Sequence, residues 1–146
     1  MLFRSSKLAK ARELGADYAI DHYRQDISAE VRKFTGKRGV DVVVEHVGVA
    51  TWPKSLESLA VGGRLVTCGA TTGFDACVDL RFLFSKQWSL LGSFMGTMGE
   101  LHQVLKFVFR KQLKPVVDRV YPLAEIAAAH RYLENKEQSG KVIVTP

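Results

Sequence analysis

The sequence lacks the features of a membrane, secreted or metal-binding chain. It has only two cysteines, Cys68 and Cys77, in apolar surroundings and without the spacing of metal ligands. No apolar run approaches the roughly 20 residues that a membrane-spanning helix needs, and the apolar part of the opening "MLFRSSK" is too short for a secretory signal. We therefore expect reduced thiols, no membrane span and a cytoplasmic location.

The sequence also lacks a basic tract. Its 21 Lys and Arg residues outnumber its 15 Asp and Glu residues, which gives a formal net charge of +6, but the basic residues are scattered along the chain. Proteins that bind nucleic acid gather such residues on one face or in one run. Nucleic acid is therefore not an expected partner.

No stretch has the spacing G-x-G-x-x-G that holds a pyrophosphate. The nearest is "LLGSFMGTMGE", residues 90–100, where the spacing is G-x-x-x-G-x-x-G. Thr97 and Glu100 within it form a capping box that predicts the start of a helix. A tight turn between a strand and that helix explains these glycines, so this stretch gives no argument for a phosphate loop.

What is present is the composition of an ordinary soluble domain. The 146 residues are 47% hydrophobic and 25% charged, and this length is sufficient for one substantial core. Helices are predicted at "SSKLAKARELGAD", "DISAEVRKFTG", "TWPKSLESLAVGG", "LHQVLKFVF" and "LAEIAAAHRYLEN", bounded by capping residues and glycines. We expect a single domain over residues 1–146.

Strands are predicted between these helices, at "YAID", "GVDVVVEHVG", "RLVTCG", "WSLLGSF" and "KVIVTP", with "KPVVDRVYP" extended and "LRFLFSK" irregular. The run "VDVVVEHV" is continuously β-branched, which is typical of a strand buried on both faces at the centre of a parallel sheet. The alternation predicts an α/β fold. Its parallel sheet would contain "VDVVVEHV", "RLVTCG", "WSLLGSF" and "KVIVTP", with helices on both faces.

Several stretches, taken in order, resemble a known family. They are "KLAKARELGADYAIDH", "GKRGVDVVVEHVG", "SLESLAVGGRLVTCGATTG", "WSLLGS", "LKPVVDRVYPLAEIAAAHRYLE" and "SGKVIVTP". Together they are similar to the C-terminal half of the medium-chain dehydrogenase/reductases, the zinc-type alcohol dehydrogenases and their quinone oxidoreductase relatives. The resemblance extends from about residue 5 to the end of the chain.

The resemblance implies a Rossmann-like nucleotide domain that lacks its first two strands. In the family a catalytic domain and a glycine-rich turn come first, and neither is found in this sequence. The chain thus looks like a fragment of an oxidoreductase, inactive alone. It would hold NADP or NAD weakly, with no zinc in this chain and no catalytic residue of its own. The alternative is a non-catalytic interaction module that uses its sheet edge or basic surface.

The resemblance also implies which residues approach the cofactor. The backbone of Val47 and Gly48 would lie near the ribose, unless this is a plain strand-to-helix turn. Cys68, Gly69 and Ala70 would line the nicotinamide side, as would Leu91, Gly92 and Ser93. Cys68 itself is expected to be a buried filler rather than a nucleophile, because the sequence places no base beside it.

The resemblance places Ser6 and Lys7 at the adenosine end, where they would be donors that suit a 2′-phosphate, whereas Arg4 is interpreted as ordinary surface charge. His22 lies either against the adenosine or in solvent at a strand end. His46, His102 and His130 lack metal-type spacing. Asp41 and Glu45 would lie about 13 Å apart along a strand, too far for one acid/base step.

The expected assembly depends on the first two strands of the family's nucleotide domain, which this sequence lacks. Without them the edge of "VDVVVEHV" is open, and an open apolar edge is a template for pairing. Either "YAID" moves beside it or two chains complete one another's sheet. The family implies a second contact around "WSLLGSF", so a homodimer through sheet edges is expected.

Overall fold

The computed structural model describes the backbone of residues 5–146 and the side chains of residues 7–146. The chain forms two compact units, of which the first ends at Met95 and the second is Gly96–Pro146. Every strand pairing in the described residues is parallel. The predicted α/β class, with parallel sheets flanked by helices, is confirmed. The assignment of residues 1–146 to one partial domain stays a prediction.

The first unit alternates helices with the strands of a parallel sheet in the order β1-β2-β3. Its elements are α1 (Ser5–Glu13), α2 (Ile27–Phe34), β1 (Val40–Glu45), α3 (Trp52–Glu57), β2 (Leu59–Thr67), α4 (Leu80–Ser85) and β3 (Ser89–Gly92). Leu56 of α3 and Leu59 and Leu65 of β2 form the buried core between helix and sheet. Trp88, which directly precedes β3, packs against this core, and its indole N–H donates to the carbonyl of Ala60 at 3.0 Å.

Strand β1 lies at an edge of this sheet, so the prediction that it is central is wrong for the strands that the structure describes. The side chains of Val42 and Val44 are 52% and 68% exposed. The β-branched run predicts a strand suited to burial on both faces. It does not determine whether another strand pairs with each edge of β1. The opposite edge of β1 pairs with β2 in register, with Val43 beside Leu65.

Helix α3 is shorter than predicted because "LAVGG" belongs to β2. The Ser58 hydroxyl donates to the carbonyl of Lys54 at 2.6 Å, which satisfies the last turn of the helix. The pairing of β1 with β2 then skips residues 60–63, which form a bulge. Gly62 adopts φ +73 in this bulge. The two glycines thus mark an irregular strand rather than a helix end.

Helix α2 begins and ends as predicted. The Asp26 carboxylate accepts from the backbone N–H of Ala29 at 2.8 Å and caps the helix. Val31 is buried, and the ring of Phe34 stacks on Tyr18 with centroids 4.3 Å apart. Asp26 also pairs with Lys54 of α3 at 2.9 Å. These contacts hold α2 against α3 and Tyr18.

Two further segments of the first unit differ from their predictions. "YAID" is not a strand: Ile20 is an isolated bridge residue, and Asp21 starts a turn in which its carboxylate accepts from the Tyr23 N–H at 3.1 Å. "LRFLFSK" is helical rather than irregular, since it contains α4, which the Asp79 side chain caps by accepting from the N–H of Arg81 at 2.9 Å. In both segments an aspartate side chain accepts a hydrogen bond from a nearby backbone N–H and so determines the local backbone conformation.

The second unit contains α5 (Met98–Phe109), β4 (Val117–Pro122), a 3-10 helix (Leu123–Glu125), α6 (Ile126–Glu134) and β5 (Lys141–Thr145). The predicted capping box opens α5, with the Thr97 hydroxyl accepting from the Glu100 N–H at 3.2 Å. β5 pairs with β4 in a separate two-stranded sheet. The prediction that "KVIVTP" joins the larger sheet is therefore wrong. The apolar alternation of "KVIVTP" predicts a strand. The short β4-α6-β5 connection then determines that this strand pairs with β4.

None of the described helices has the length and apolar character needed to cross a membrane.

Candidate functional site

The carboxyl ends of β1, β2 and β3 meet at one edge of the first unit's sheet. Glu45, Thr67 and Gly92 lie side by side in the parallel register. The residues that follow form a first loop (46–51), a second loop (68–73) and a third segment (93–95). Ser93 is tied to the sheet because its N–H donates to the Thr67 carbonyl at 2.9 Å. Ligands of open α/β sheets bind at this edge.

Hydrogen bonds clamp the first and second loops together. The backbone N–H and the hydroxyl of Thr72 donate to the Val47 carbonyl at 2.8 and 2.7 Å. In return the Val49 N–H donates to the Gly73 carbonyl at 3.2 Å, and the Ala50 N–H donates to the Thr72 hydroxyl at 3.1 Å. The two loops therefore hold one another in a defined shape.

Two glycines allow this close approach. Gly48 has φ +94, and a Cβ there would lie 2.4 Å from the Gly73 carbonyl oxygen. A Cβ on Gly69 would lie 2.9 Å from the carbonyl oxygen of His46. Only glycine adopts the first backbone conformation at low cost, and only glycine leaves room for the neighbouring loop.

Glu45 is buried beneath the first loop, with 3% of its surface exposed. Its Oε1 accepts from the backbone N–H groups of Val47 and Gly48 at 2.7 and 3.2 Å. The Thr51 hydroxyl donates to both carboxylate oxygens, and the Ser55 hydroxyl donates to Oε2. A carboxylate at the end of a strand thereby satisfies the donors of the turn that follows it.

These hydrogen bonds determine the charge of Glu45. Burial raises its pKa, since it removes the carboxylate from water, but the hydrogen bonds from Ser55, Val47, Thr51 and Gly48 together outweigh burial. Its pKa therefore lies below the ordinary value. The side chain is a carboxylate at neutral pH and acts as a hydrogen-bond acceptor.

A cavity of about 720 Å³ runs along the outer edge of β1 to this loop. Its lining is mostly apolar and comes from β1, α2 and Tyr18 and Ile20. The polar residues in its lining are Lys7, His22, Glu45, His46, Thr51, Ser55 and Ser58. A mostly apolar cleft with a few polar groups, of this volume, fits an organic ligand of nucleotide size.

The structure brings the predicted site residues into two groups. The first group lies on the strand ends and their loops and consists of Val47, Gly48, Cys68, Gly69, Ala70, Leu91, Gly92 and Ser93. The second lines the cavity, where Lys7 and His22 share the wall with Val47. The Ser6 side chain and Arg4 lie outside the described part of the chain. Contact of any of these residues with a cofactor stays a prediction.

Two details of the predicted site change. Cys68 is exposed rather than buried, because β2 ends at Thr67 and Cys68 already belongs to the loop. The N–H groups of Val47 and Gly48 both donate to Glu45. They hold the turn, so any approach of this backbone to a ligand uses its surface rather than these donors.

Asp41 and Glu45 have separate environments. Asp41 is exposed and paired with Arg38, which holds the pKa of that carboxyl below its ordinary value. Glu45 is buried and bonded to the first loop. No joint acid/base role follows for these two carboxylates.

Sequence reasoning missed the structural use of Glu45, Thr51 and Thr72. The available signal was an acidic residue ending a strand, with hydroxyl residues six and ten positions later, at Thr51 and Ser55. For Thr72 no such signal exists, because its partner Val47 lies 25 residues away in the chain. Within residues 7–146, no three His, Cys, Asp or Glu side chains are close enough to hold a metal ion.

Comparisons with known proteins show what this chain is similar to. The zinc-binding dehydrogenase family matches residues 14–144. A crotonyl-CoA carboxylase/reductase of Cereibacter sphaeroides is 36% identical over 79% of this chain and 29% of its own length. A solved NAD-dependent alcohol dehydrogenase is 37% identical, with a TM-score of 0.87 over 99% of this chain and 43% of that one.

A crotonyl-CoA carboxylase/reductase solved in complex with NADP is 26% identical, with a TM-score of 0.87 over 98% of this chain and 42% of its own. The chain spans less than half the length of these relatives. A family match over residues 14–144 covers most of the sequence. The chain therefore belongs to the zinc-binding dehydrogenase family, as an NAD(P)-binding domain of the medium-chain dehydrogenase/reductase type.

Proposed function

We propose that this chain binds NADP, or NAD more weakly, at the carboxyl edge of the β1-β2-β3 sheet and does not turn over substrate by itself. One observation carries the proposal: the predicted contact residues on separate strands come together in loops that hydrogen-bond to one another. A loop pair held in this way presents a fixed surface to a ligand, which lowers the ordering cost of binding.

The preference for NADP rests on the cavity. Lys7 lies in its wall together with His22 and His46, and a lysine ammonium is a common partner of a phosphate. An adenosine ring fits beside the apolar and aromatic side chains, with Tyr18 and Phe34 stacked at 4.3 Å between centroids. The residues present therefore fit the adenosine end of the dinucleotide.

Binding is expected to be weak. A G-x-G-x-x-G turn with the helix N-terminus behind it supplies most pyrophosphate donors in such domains, and the sequence contains no such turn. Dissociation constants in the millimolar range or above correspond to roughly 4 kcal/mol or less of binding free energy. The nicotinamide, when bound, would supply hydride transfer, while the chain's own loops would position the ring.

A titration of the isotope-labelled chain with NADPH, NADH and adenosine, followed by amide NMR shifts, tests the proposal. We expect saturable shifts in the first and second loops, with NADPH binding more tightly than NADH. Lys7→Ala should reduce this preference. Lys10→Ala is the matched control, since it removes a lysine of the same helix that is paired with Glu13 at 3.0 Å and does not line the cavity.

The outcomes separate the two classes of function. Saturation confined to the loops and cavity supports the nucleotide domain. Unchanged spectra at the highest nucleotide concentration would overturn it and favour the non-catalytic interaction module. Assays of the chain alone with alcohol, aldehyde or quinone are expected to show no turnover, and measurable turnover would contradict the proposed inactivity.

A further inference from the structure

Glu45 connects the sheet with the first loop. Its carboxylate lies at the carboxyl end of β1, and it accepts from donors of the loop and of helix α3, namely Val47, Gly48, Thr51 and Ser55. A buried carboxylate is costly unless its oxygens have partners. Here both oxygens have partners, so the charge holds the loop in one shape.

The same residue reaches the second loop through the backbone. The Glu45 carbonyl accepts from the N–H of Cys68 at 3.0 Å. Val47 extends the connection, because its N–H donates to the Glu45 carboxylate while its carbonyl accepts from Thr72. A displacement of the Glu45 side chain would therefore move the first loop and loosen its clamp on the second.

We infer that Glu45 is a positioning residue of the nucleotide site, one that acts on the ligand mainly by holding the two loops, since only 3% of its surface is exposed although it lies in the cavity wall. The inference rests on the proposed function. Neither N–H of the turn is available to a ligand while Glu45 accepts from both. The role of the carboxylate is thus to set the surface that Val47 and the second loop present.

Two substitutions of Glu45 distinguish the effect of its hydrogen bonds to the first loop from the effect of its negative charge. Glu45→Gln keeps an oxygen that accepts from the two backbone N–H groups, and its amide donates to the hydroxyl oxygens of Thr51 and Ser55. Glu45→Ala leaves these donors without a partner. Leu59→Ala is the control for lost stability, because Leu59 is 3% exposed and pairs with Val40 at the opposite end of β1.

The experiment uses the full chain and two readouts. Amide hydrogen exchange of Val47, Gly48 and Thr72 reports the order of the loops without any ligand. NADPH titration, scaled to the folded fraction from circular dichroism, reports the site. We expect E45A to exchange fast at these amides and to bind NADPH about tenfold more weakly. E45Q should stay near the wild type in both readouts, and L59A should keep the wild-type NADPH affinity after this scaling.

Equal NADPH affinity of E45A and wild type would overturn the inference, as would an equal loss of affinity in L59A. If E45A does not fold, Thr51→Val takes its place, since it removes one hydroxyl donor to the carboxylate. Unchanged NADPH affinity of T51V would then overturn the inference. A wild-type chain without saturable binding would instead refute the proposed function, and the exchange rates would still decide whether Glu45 orders the loops.

Discussion

Gly48 determines how closely the two site loops approach. Its φ of +94 and the 2.4 Å between an added Cβ and the Gly73 carbonyl oxygen are independent obstacles to a side chain. Gly15 isolates the first obstacle, since its φ is +98 and nothing lies within 4 Å of an added Cβ. The pair thus separates backbone strain from steric conflict.

We predict that Gly48→Ala lowers the free energy of unfolding by more than about 3 kcal/mol, because strain and conflict add. Gly15→Ala should cost about 1 kcal/mol, the strain alone. Urea denaturation followed by circular dichroism measures both. Equal losses in the two variants would show that the loops separate without cost.

Glu45 makes the stability of the chain depend on pH. Its pKa in the folded chain lies below the ordinary value of 4.5, so the folded state binds a proton less readily than the unfolded state. The stabilisation is therefore complete above about pH 4.5 and is lost as the pH falls through the folded pKa.

We predict that the difference in unfolding free energy between wild type and Glu45→Gln shrinks as the pH is lowered below 4.5. Glutamine has no proton to gain, so this part of the acid sensitivity disappears in E45Q. Urea titrations at a series of pH values measure the difference. If the difference in unfolding free energy is constant or grows toward acid pH, the pKa of Glu45 is not lowered in the folded chain.

At the scale of the elements, capping side chains decide where helices start. In α5 the Thr97 N–H donates to the Glu100 carboxylate at 2.6 Å, while the Thr97 hydroxyl accepts from the Glu100 N–H. The bond to Thr97 also holds the pKa of Glu100 below its ordinary value. A local motif of this kind requires no tertiary contact.

We predict that Thr97→Ala destabilises α5 by about 1 kcal/mol. Thr97→Ser keeps the hydroxyl and should remain close to the wild type. Amide hydrogen exchange in α5 measures the local effect, and faster exchange is expected in the first turn of T97A. An equal change in T97S would mean that the methyl group, and not the cap, matters.

At the scale of the whole molecule, the sheet edges govern assembly. Among the described strands, β1 and β3 are the two edges of the larger sheet. Val44 of β1 is 68% exposed and Leu91 of β3 is 46% exposed. We propose a homodimer through these edges, because an open apolar strand pairs readily with a second copy.

We predict a dimer in light scattering at micromolar concentration. Val44→Lys or Leu91→Lys should shift the mass toward the monomer, since a lysine on an edge opposes pairing. Val61→Lys is the control, because Val61 is 63% exposed but lies on the middle strand β2. A wild-type monomer, or a dimer unchanged in both edge variants, would refute the proposal.

Sequence reasoning located the starts of α2 and α5 but missed two equally local features, the turn at Asp21 and the Asp79 cap of α4. The cap at Asp26 and the capping box at Thr97 are as predicted, because a helix start involves residues only a few positions apart. It was wrong where the partner is distant or absent. The helix end predicted at Gly62 is a bulge in β2, and β5 pairs with β4 rather than joining the larger sheet.

The sequence by itself determined the α/β alternation, the family and the strand ends at which a ligand would lie, because periodicity and ordered motifs are properties of the linear chain. Only the tertiary structure decided that β5 pairs with β4, that Cys68 is exposed and that Thr72 clamps Val47. It also decided the role of Glu45, whose carboxylate is buried only once the first loop closes over it. Burial and pairing depend on which segments meet in space, and that meeting is not encoded in the spacing of any one motif.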